Sequence, residues 1–258
     1  MDYANLFRLD GRRVAVVGGG SGIGRESVRA LVAQGAHVVV ADRDVAGAER
    51  TAALAGDAGA AVPYALDVLD PEAVRAASAE WGPLDGLVVT VGANVRKRVA
   101  DYTLEDFDRV IALNLRSYLT LLQTVAPGMA ERGRGSVVGF ASMRALQVEP
   151  GQGPYAASKA GLVQLLRTAA AEWGPQGVRF NAVAPGVVRT PLTDQIAADP
   201  AWFDAYAQAS ALKRWARADE IAGAVAYLVS DASTFVTGSV LTVDGGWTAV
   251  DGRYDPSV

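Results

Sequence analysis

Residues 13–42 open with Arg13-Val14-Ala15-Val16-Val17, pass through Gly18-Gly19-Gly20-Ser21-Gly22-Ile23-Gly24, and close with Ala36-His37-Val38-Val39-Val40-Ala41-Asp42. The first apolar run suits a buried parallel strand. A helical pattern runs from Arg25 to about Gln34 and stops at Gly35. The second apolar run reads as another strand, ending at Asp42. The unit is therefore strand, glycine turn, helix, strand. Glycines let such a turn tighten and let backbone approach a pyrophosphate, while the helix beyond presents unpaired N–H groups. An acid at the end of the next strand strengthens the reading. Asp42 is placed to accept both ribose hydroxyls of an adenosine and would repel a 2′-phosphate, which favours NAD over NADP. Arg43, next to it, works against that preference. The competing reading of Asp42 is a turn residue after a strand.

Outward from this unit the alternation continues. Helices are expected at 46–55, 71–80, 103–123, 155–173 and 219–228, and strands at 61–66, 84–91, 135–141, 178–184 and 239–243. Thr103 and Asp106 resemble a capping box. Strict alternation implies an α/β fold: one Rossmann-like, doubly wound parallel sheet with helices on both faces. No linker, repeat or low-complexity tract interrupts residues 1–258, so a single domain is expected. It carries an insertion at about 191–211 and a tail at 247–258. Ligands of such sheets sit beyond the strand C-termini. Gly18–Gly24, Asp42, Asp67, Gly92, Ser142 and Pro185-Gly186 all fall on that edge.

A second stretch carries the chemistry. In Pro154-Tyr155-Ala156-Ala157-Ser158-Lys159, Tyr155 and Lys159 are four apart and share one face of a helix. A fixed ammonium favours the phenolate and is expected to lower the tyrosine pKa. The pair is then a general acid-base unit that needs no histidine. The alternative is an ordinary amphipathic helix with one aromatic and one solvated lysine.

Composition narrows the function. Of 258 residues half are hydrophobic and 20% are charged, with a net charge of -4 and no basic block, so no nucleic-acid footprint is expected. The absence of cysteine excludes disulfides, thiolate nucleophiles and Cys-ligated metals. His37 is the only histidine, reads as structural, and leaves no metal site in view. Met1–Arg13 has no apolar signal core, and no run approaches the roughly 18 apolar residues of a membrane span. A cytoplasmic protein is expected.

In this order and spacing the motifs resemble the short-chain dehydrogenase/reductase family over nearly the whole chain. They are Gly18-x-x-x-Gly22-Ile23-Gly24, Asp67-Val68, Asn114, Ser142, Tyr155-x-x-x-Lys159, Asn181 to Gly186 with Thr190, and Val243-Asp244-Gly245-Gly246. The resemblance implies hydride transfer between a nicotinamide and a secondary alcohol or ketone. It implies that Tyr155 exchanges the proton and that Lys159 holds the nicotinamide ribose and tunes Tyr155. It implies that Ser142, thirteen residues ahead of Tyr155, binds the substrate oxygen and that Asn114 holds a relay water. Cofactor contacts are expected from Gly18, Ser21, Gly22, Ile23, Gly24, Asp42, Arg43, Asp67, Val68, Val89, Gly92, Pro185, Gly186, Val188 and Thr190, with Tyr155 and Lys159.

The chain departs from the family pattern at Val17, at Val89-Thr90-Val91-Gly92 and at Gly139. Val17 and Val89 replace polar residues that tie strands near the cofactor, and apolar packing is expected to substitute for them. The substrate pocket is expected from Arg96, Arg144, Gln152, Val187 and Trp202. Arg96, Lys97, Arg98 and Arg144 are suited to grip a carboxylate or polyhydroxyl compound; the competing reading is solvated loop cations. The pattern at Asn94–Arg98 is similar to sugar-acid dehydrogenases of the gluconate 5-dehydrogenase type. Trp202, Phe203, Tyr206 and Trp215 are expected either as an apolar lid over a ketone or as helix packing. Relatives of this kind usually form homotetramers, with the tail reaching a neighbouring subunit or, alternatively, frayed. Two other functions stay open: a 3-oxoacyl thioester (acyl carrier protein) reductase, against which Asp42 counts, and a non-catalytic NAD-sensing protein.

Overall fold

The computed structural model describes residues 2–56 and 59–250. Seven strands form one parallel sheet in the order β3-β2-β1-β4-β5-β6-β7. They are β1 (Arg13–Val17), β2 (His37–Asp42), β3 (Ala61–Ala65), β4 (Gly86–Val89), β5 (Gly135–Phe140), β6 (Val178–Pro185) and β7 (Val240–Val243). Every pairing is parallel, with Val17 opposite Ala41 on one side and Val89 on the other. Strand order reverses between β1 and β4. That switch point opens a crevice at the strand C-termini.

The strands explain the two-faced core. In β1, Val14 and Val16 face one cluster with Val28 and Leu31 of α1 (Gly22–Ala33) and Ile221, Val225 and Leu228 of α9 (Asp219–Val229). Ala15 and Val17 face the other, with Val74 and Trp81 of α3 (Pro71–Trp81), Leu121 and Leu122 of α5 (Ser117–Glu131), and Leu162 and Leu166 of α6 (Gly153–Trp173). Side chains alternate faces along a strand, so a run that is apolar at every position must be covered on both sides.

The helix expected at 103–123 differs from expectation. It is α4 (Leu104–Ile111), a π turn over Ala112–Arg116, then α5, which continues to Glu131. The capping box forms: Thr103 Oγ1 accepts the Asp106 N–H at 3.1 Å, and the Asp106 carboxylate accepts the Thr103 N–H at 3.1 Å. The wide turn is centred on Asn114, which is fully buried. The strand expected at 84–91 is shorter, Gly86–Val89: the Thr90 N–H closes the last rung on the Val17 carbonyl at 2.8 Å, and the chain beyond it lines the crevice. His37 is exposed at the start of β2. The insertion at 191–211 forms α7 (Asp194–Ala197) and α8 (Pro200–Ala209). Helix α2 (Val45–Leu54) completes the set. No helix among the described residues is long and apolar enough to cross a membrane. Of the tail, residues 251–258 lie outside the described residues.

Candidate active site and dinucleotide cleft

The crevice between β1 and β4 is a cleft of about 350 Å³ lined by Gly18, Ser21–Gly24, Asp42, Arg43, Asp67, Val68, Gly92 and Thr190. The glycine turn needs its glycines. Gly18 has φ +88°, and a Cβ added at Gly24 would lie 2.0 Å from the Gly18 carbonyl oxygen. Helix α1 starts at Gly22, earlier than expected, so the turn itself supplies the first helical N–H groups. Ser21 precedes them without capping them through its side chain, which leaves those donors for an anion. Asp42 is held in front of the turn: Oδ2 accepts the Gly20 N–H at 2.8 Å and Oδ1 the Asp44 N–H at 2.9 Å. Donors at one end and an oriented carboxylate at the other fit a dinucleotide. The remaining expected contacts lie elsewhere. Val89, Pro185 and Val188 are packed inside, with Val89 O accepting the Tyr118 hydroxyl at 2.8 Å. Gly186 turns toward β7, and a Cβ there would meet Asp244 Cα at 2.7 Å.

Beyond Gly92 the cleft meets α6. A Cβ at Gly92 would lie 3.4 Å from Lys159 Nζ and 3.6 Å from Asn114 Oδ1, so both groups converge on that glycine. Lys159 Nζ donates to the Phe140 carbonyl at 2.8 Å and lies 5.8 Å from the ring centres of Tyr118 and Tyr155. Asn114 Oδ1 accepts the Ala93 N–H at 2.8 Å, and Nδ2 donates to the Ala93 carbonyl and to Ser158 Oγ at 2.9 and 3.1 Å. This clamp ties the segment after β4 to the tyrosine helix. Ser142 follows β5 and its Oγ accepts the Arg144 N–H at 3.1 Å.

The electrostatics correct one expectation. Burial raises the Tyr155 pKa above its ordinary value, and what opposes it is the Ser142 hydroxyl and the charges of Arg144 and Arg96, not Lys159. Burial in turn pulls Lys159 down to about 7. An ammonium in a dry pocket loses hydration, and its one carbonyl partner does not replace it.

Four of the five expected substrate residues gather around a carboxylate that the sequence did not single out, Glu149. Arg144, 7% exposed, places Nη2 2.6 Å from Glu149 Oε2, and its guanidinium lies 5.4 Å from the Trp247 ring centre. The Tyr206 hydroxyl donates to Glu149 Oε1 at 2.6 Å. Gln152 Nε2 donates to Glu149, and Gln152 Oε1 accepts from Asn94 Nδ2 at 2.8 Å. Arg96 stacks 4.9 Å from the Trp202 ring centre. Val187 lies apart, in an apolar cluster with Met143, Ile196, Tyr206 and Trp215. Lys97 and Arg98 are not part of the pocket: Lys97 pairs with Asp106 at 2.5 Å, and Arg98 is exposed. Of the two readings of these aromatics, packing describes Phe203 of α8, which stacks on Trp215 beyond that helix with ring centres 4.9 Å apart. Tyr206 is not an apolar lid residue, because its hydroxyl is spent on Glu149.

A family model described as Enoyl-(Acyl carrier protein) reductase matches residues 17–248. The chain belongs to the short-chain dehydrogenase/reductase family. It is similar to galactitol 2-dehydrogenase (L-tagatose-forming) of Cereibacter sphaeroides, 39% identical over 96% of this chain and 99% of that protein. It is also similar to gluconate 5-dehydrogenase of Gluconobacter oxydans, 32% identical over 96% and 99%. Among solved structures, a gluconate 5-dehydrogenase from Burkholderia cenocepacia in complex with NADP and tartrate matches with TM-score 0.90 and 33% identity, covering 95% of this chain and 98% of that one. The short-chain dehydrogenase/reductase fold and an oxidoreductase that acts on CH–OH groups with a nicotinamide cofactor are thereby shown.

Val17 and Val89, where apolar packing was expected to replace polar ties, are both buried in the core, and Thr90 stands next to Val89. Its Oγ1 donates to the Val17 and Gly18 carbonyls at 3.1 and 3.0 Å, so a polar tie between β4 and the glycine turn persists one residue along from Val89. Glu149 and Trp247 were not singled out in the sequence, and Tyr206 was read only as a lid or packing aromatic; its hydroxyl reaches Glu149 across 57 residues, and Trp247 lies 5.4 Å from the Arg144 guanidinium.

Proposed function

We propose that this chain is an NAD(H)-dependent dehydrogenase that interconverts a secondary alcohol and a ketone on a sugar acid, sugar or polyol. The observation that carries the reading is the convergence of Lys159 and Asn114 on Gly92, at the end of a cleft whose other end holds Asp42. Gly18–Gly24, Asp42 and Lys159 would hold a nicotinamide dinucleotide there, and that group would supply the hydride acceptor or donor. The chain's own groups handle the proton. Tyr155, kept protonated by burial, is the donor to a ketone oxygen; in alcohol oxidation the phenol first releases its proton, and the phenolate oxygen then takes the proton of the alcohol. Ser142 orients the substrate oxygen beside it. Lys159 holds the ribose and exchanges its proton readily, since its pKa lies near neutrality. Asn114 holds Ala93 and Ser158 in register.

The oriented carboxylate of Asp42 supports NAD over NADP, because a 2′-phosphate would face it at close range. The NADP-bound relative shows that this family also takes the other dinucleotide. The chain is proposed to work as one unit, as a cytoplasmic homotetramer turning over a small molecule. A 3-oxoacyl thioester reductase is the second reading; the acyl carrier protein wording of the family model favours it, and the charged pocket around Glu149 opposes it. Steady-state turnover of aldonates, polyols and an acetoacetyl thioester with each nicotinamide tests the proposal. Tyr155→Phe should bind NADH normally and lose at least about a hundredfold in kcat. Unchanged turnover in that variant, or a preference for the thioester with NADPH, would overturn it.

A further inference from the structure

Two guanidiniums, Arg96 and Arg144, act on Tyr155, and they are unevenly paired with one carboxylate, Glu149. Glu149 is the counter-charge of the cluster. It accepts from the Tyr206 hydroxyl at 2.6 Å and from Gln152 Nε2, and it is ion-paired with Arg144 Nη2 at 2.6 Å. One carboxylate offsets one of the two guanidiniums, and it lies closest to Arg144. Arg96 is different. Its Nη1 is 3.9 Å from Glu149 Oε2, beyond hydrogen-bond reach, and it makes no hydrogen bond among the described residues. Stacking on Trp202 fixes its plane without using its donors.

The neutral partners carry a polarity that Glu149 dictates. An ionised carboxylate only accepts, so Gln152 must turn its amide nitrogen toward it. Gln152 Oε1 then faces Asn94, and Asn94 must donate from Nδ2. The remaining atom of the relay, Asn94 Oδ1, is buried and has no hydrogen-bond partner. A buried carbonyl left unpaired carries a desolvation cost that a donor hydroxyl recovers. Asn94 adjoins Ala93, which Asn114 clamps against α6. The unpaired carbonyl is therefore held close to the tyrosine helix.

Resting on the dehydrogenase reading above, we infer that Glu149 is a specificity-determining residue. It cancels Arg144 and sets the Gln152–Asn94 amide relay, leaving one unspent guanidinium at Arg96 and one unspent carbonyl at Asn94. The substrate that satisfies both is a hydroxylated monocarboxylate: its carboxylate lies on Arg96 and a hydroxyl donates to Asn94 Oδ1. A neutral polyol leaves Arg96 unpaired, and a simple ketone leaves both unpaired.

The full-length enzyme with saturating nicotinamide tests this through kcat/KM for gluconate and for glucitol, its neutral counterpart. The expected wild-type preference for gluconate is at least about tenfold. Arg96→Met should abolish that preference through a rise in KM for gluconate that KM for glucitol does not share, both alcohols being compared at one pH on the alkaline plateau so that any change in kcat is common to them. Glu149→Gln releases Arg144 as a second unpaired cation. It should tighten competitive inhibition by tartrate, a dicarboxylate, at least about tenfold, and Glu149→Asp should restore the wild-type value. A purely structural role predicts loss of activity in Glu149→Gln but no gain for a dianion. NADH binding and melting temperature report folding; if Glu149→Gln fails both, Arg96→Met decides alone. Glucitol turned over as well as gluconate, with no effect of Arg96→Met, overturns this inference and leaves the dehydrogenase reading standing. No turnover of any alcohol with either nicotinamide overturns both.

Discussion

Lys159 Nζ donates to the Phe140 carbonyl at 2.8 Å, so the last residue of β5 anchors the ammonium of the tyrosine helix. One carbonyl is poor compensation for a lost hydration shell, and Lys159 titrates near 7 in place of its ordinary 10.5. Between those values the unfolded chain holds a proton that the folded chain has released. Stability should therefore rise with pH across that window, and the burial cost is felt in full below about 7. Lys159→Met removes the cost. It should raise the melting temperature of the nucleotide-free protein clearly at pH 6 and much less at pH 10, while abolishing turnover. Calorimetry at the two pH values checks this; an equal shift at both would contradict the linkage.

Arg96 and Arg144 both favour the ionised form of Tyr155. Arg144 is locked to Glu149, which makes Arg96 the cleaner probe. Arg96→Met should move the ascending limb of the pH profile for alcohol oxidation to higher pH. The limb is read from kcat at saturating alcohol, so that weakened substrate binding does not contribute. A limb that stays in place means the guanidinium does not act on the phenol.

The proposed preference for NAD rests on the Asp42 carboxylate, pinned by the Gly20 and Asp44 N–H groups. Asp42→Ser removes the negative charge and leaves Arg43 beside the cleft. The ratio of kcat/KM for NAD over NADP should fall at least about tenfold, with part of the change a gain for NADP. A loss for both dinucleotides with an unchanged ratio would show that Asp42 only shapes the turn.

Thr90 ties β4 to the glycine turn through two carbonyls. Thr90→Val preserves shape and leaves the Val17 and Gly18 oxygens without that donor. It should cost about 1–2 kcal/mol of stability and raise KM for the dinucleotide, with kcat little changed. Urea unfolding and initial-rate kinetics together separate this from a variant that only loosens the fold.

The parallel sheet was legible from residues because its causes are local. Val14–Val17 and Val38–Ala41 are apolar at every position, and only a sheet covered on both faces buries both sides of a strand. The glycine turn was legible because the backbone conformation at Gly18 and the close approach at Gly24 exclude side chains. Tyr155 and Lys159 were legible as a pair because helical spacing alone puts them on one face. Their titration was not. It depends on how much water reaches them and on which distant charges do, and both follow from packing; hence the tyrosine answers to Arg144 and Arg96, and burial dominates the lysine. The π turn at Ala112–Arg116 was hidden for a similar reason: residues 103–123 read as one helix, and the wide turn is set by where Asn114 must reach, at Ala93 and Ser158. Glu149 was invisible along the chain because its meaning comes from Tyr206 on α8, Gln152 beside it and Arg144 behind it. A carboxylate reads as a solvated loop charge until tertiary contacts bring three donors to it, and which donors and acceptors then remain unspent is a property of the folded pocket alone.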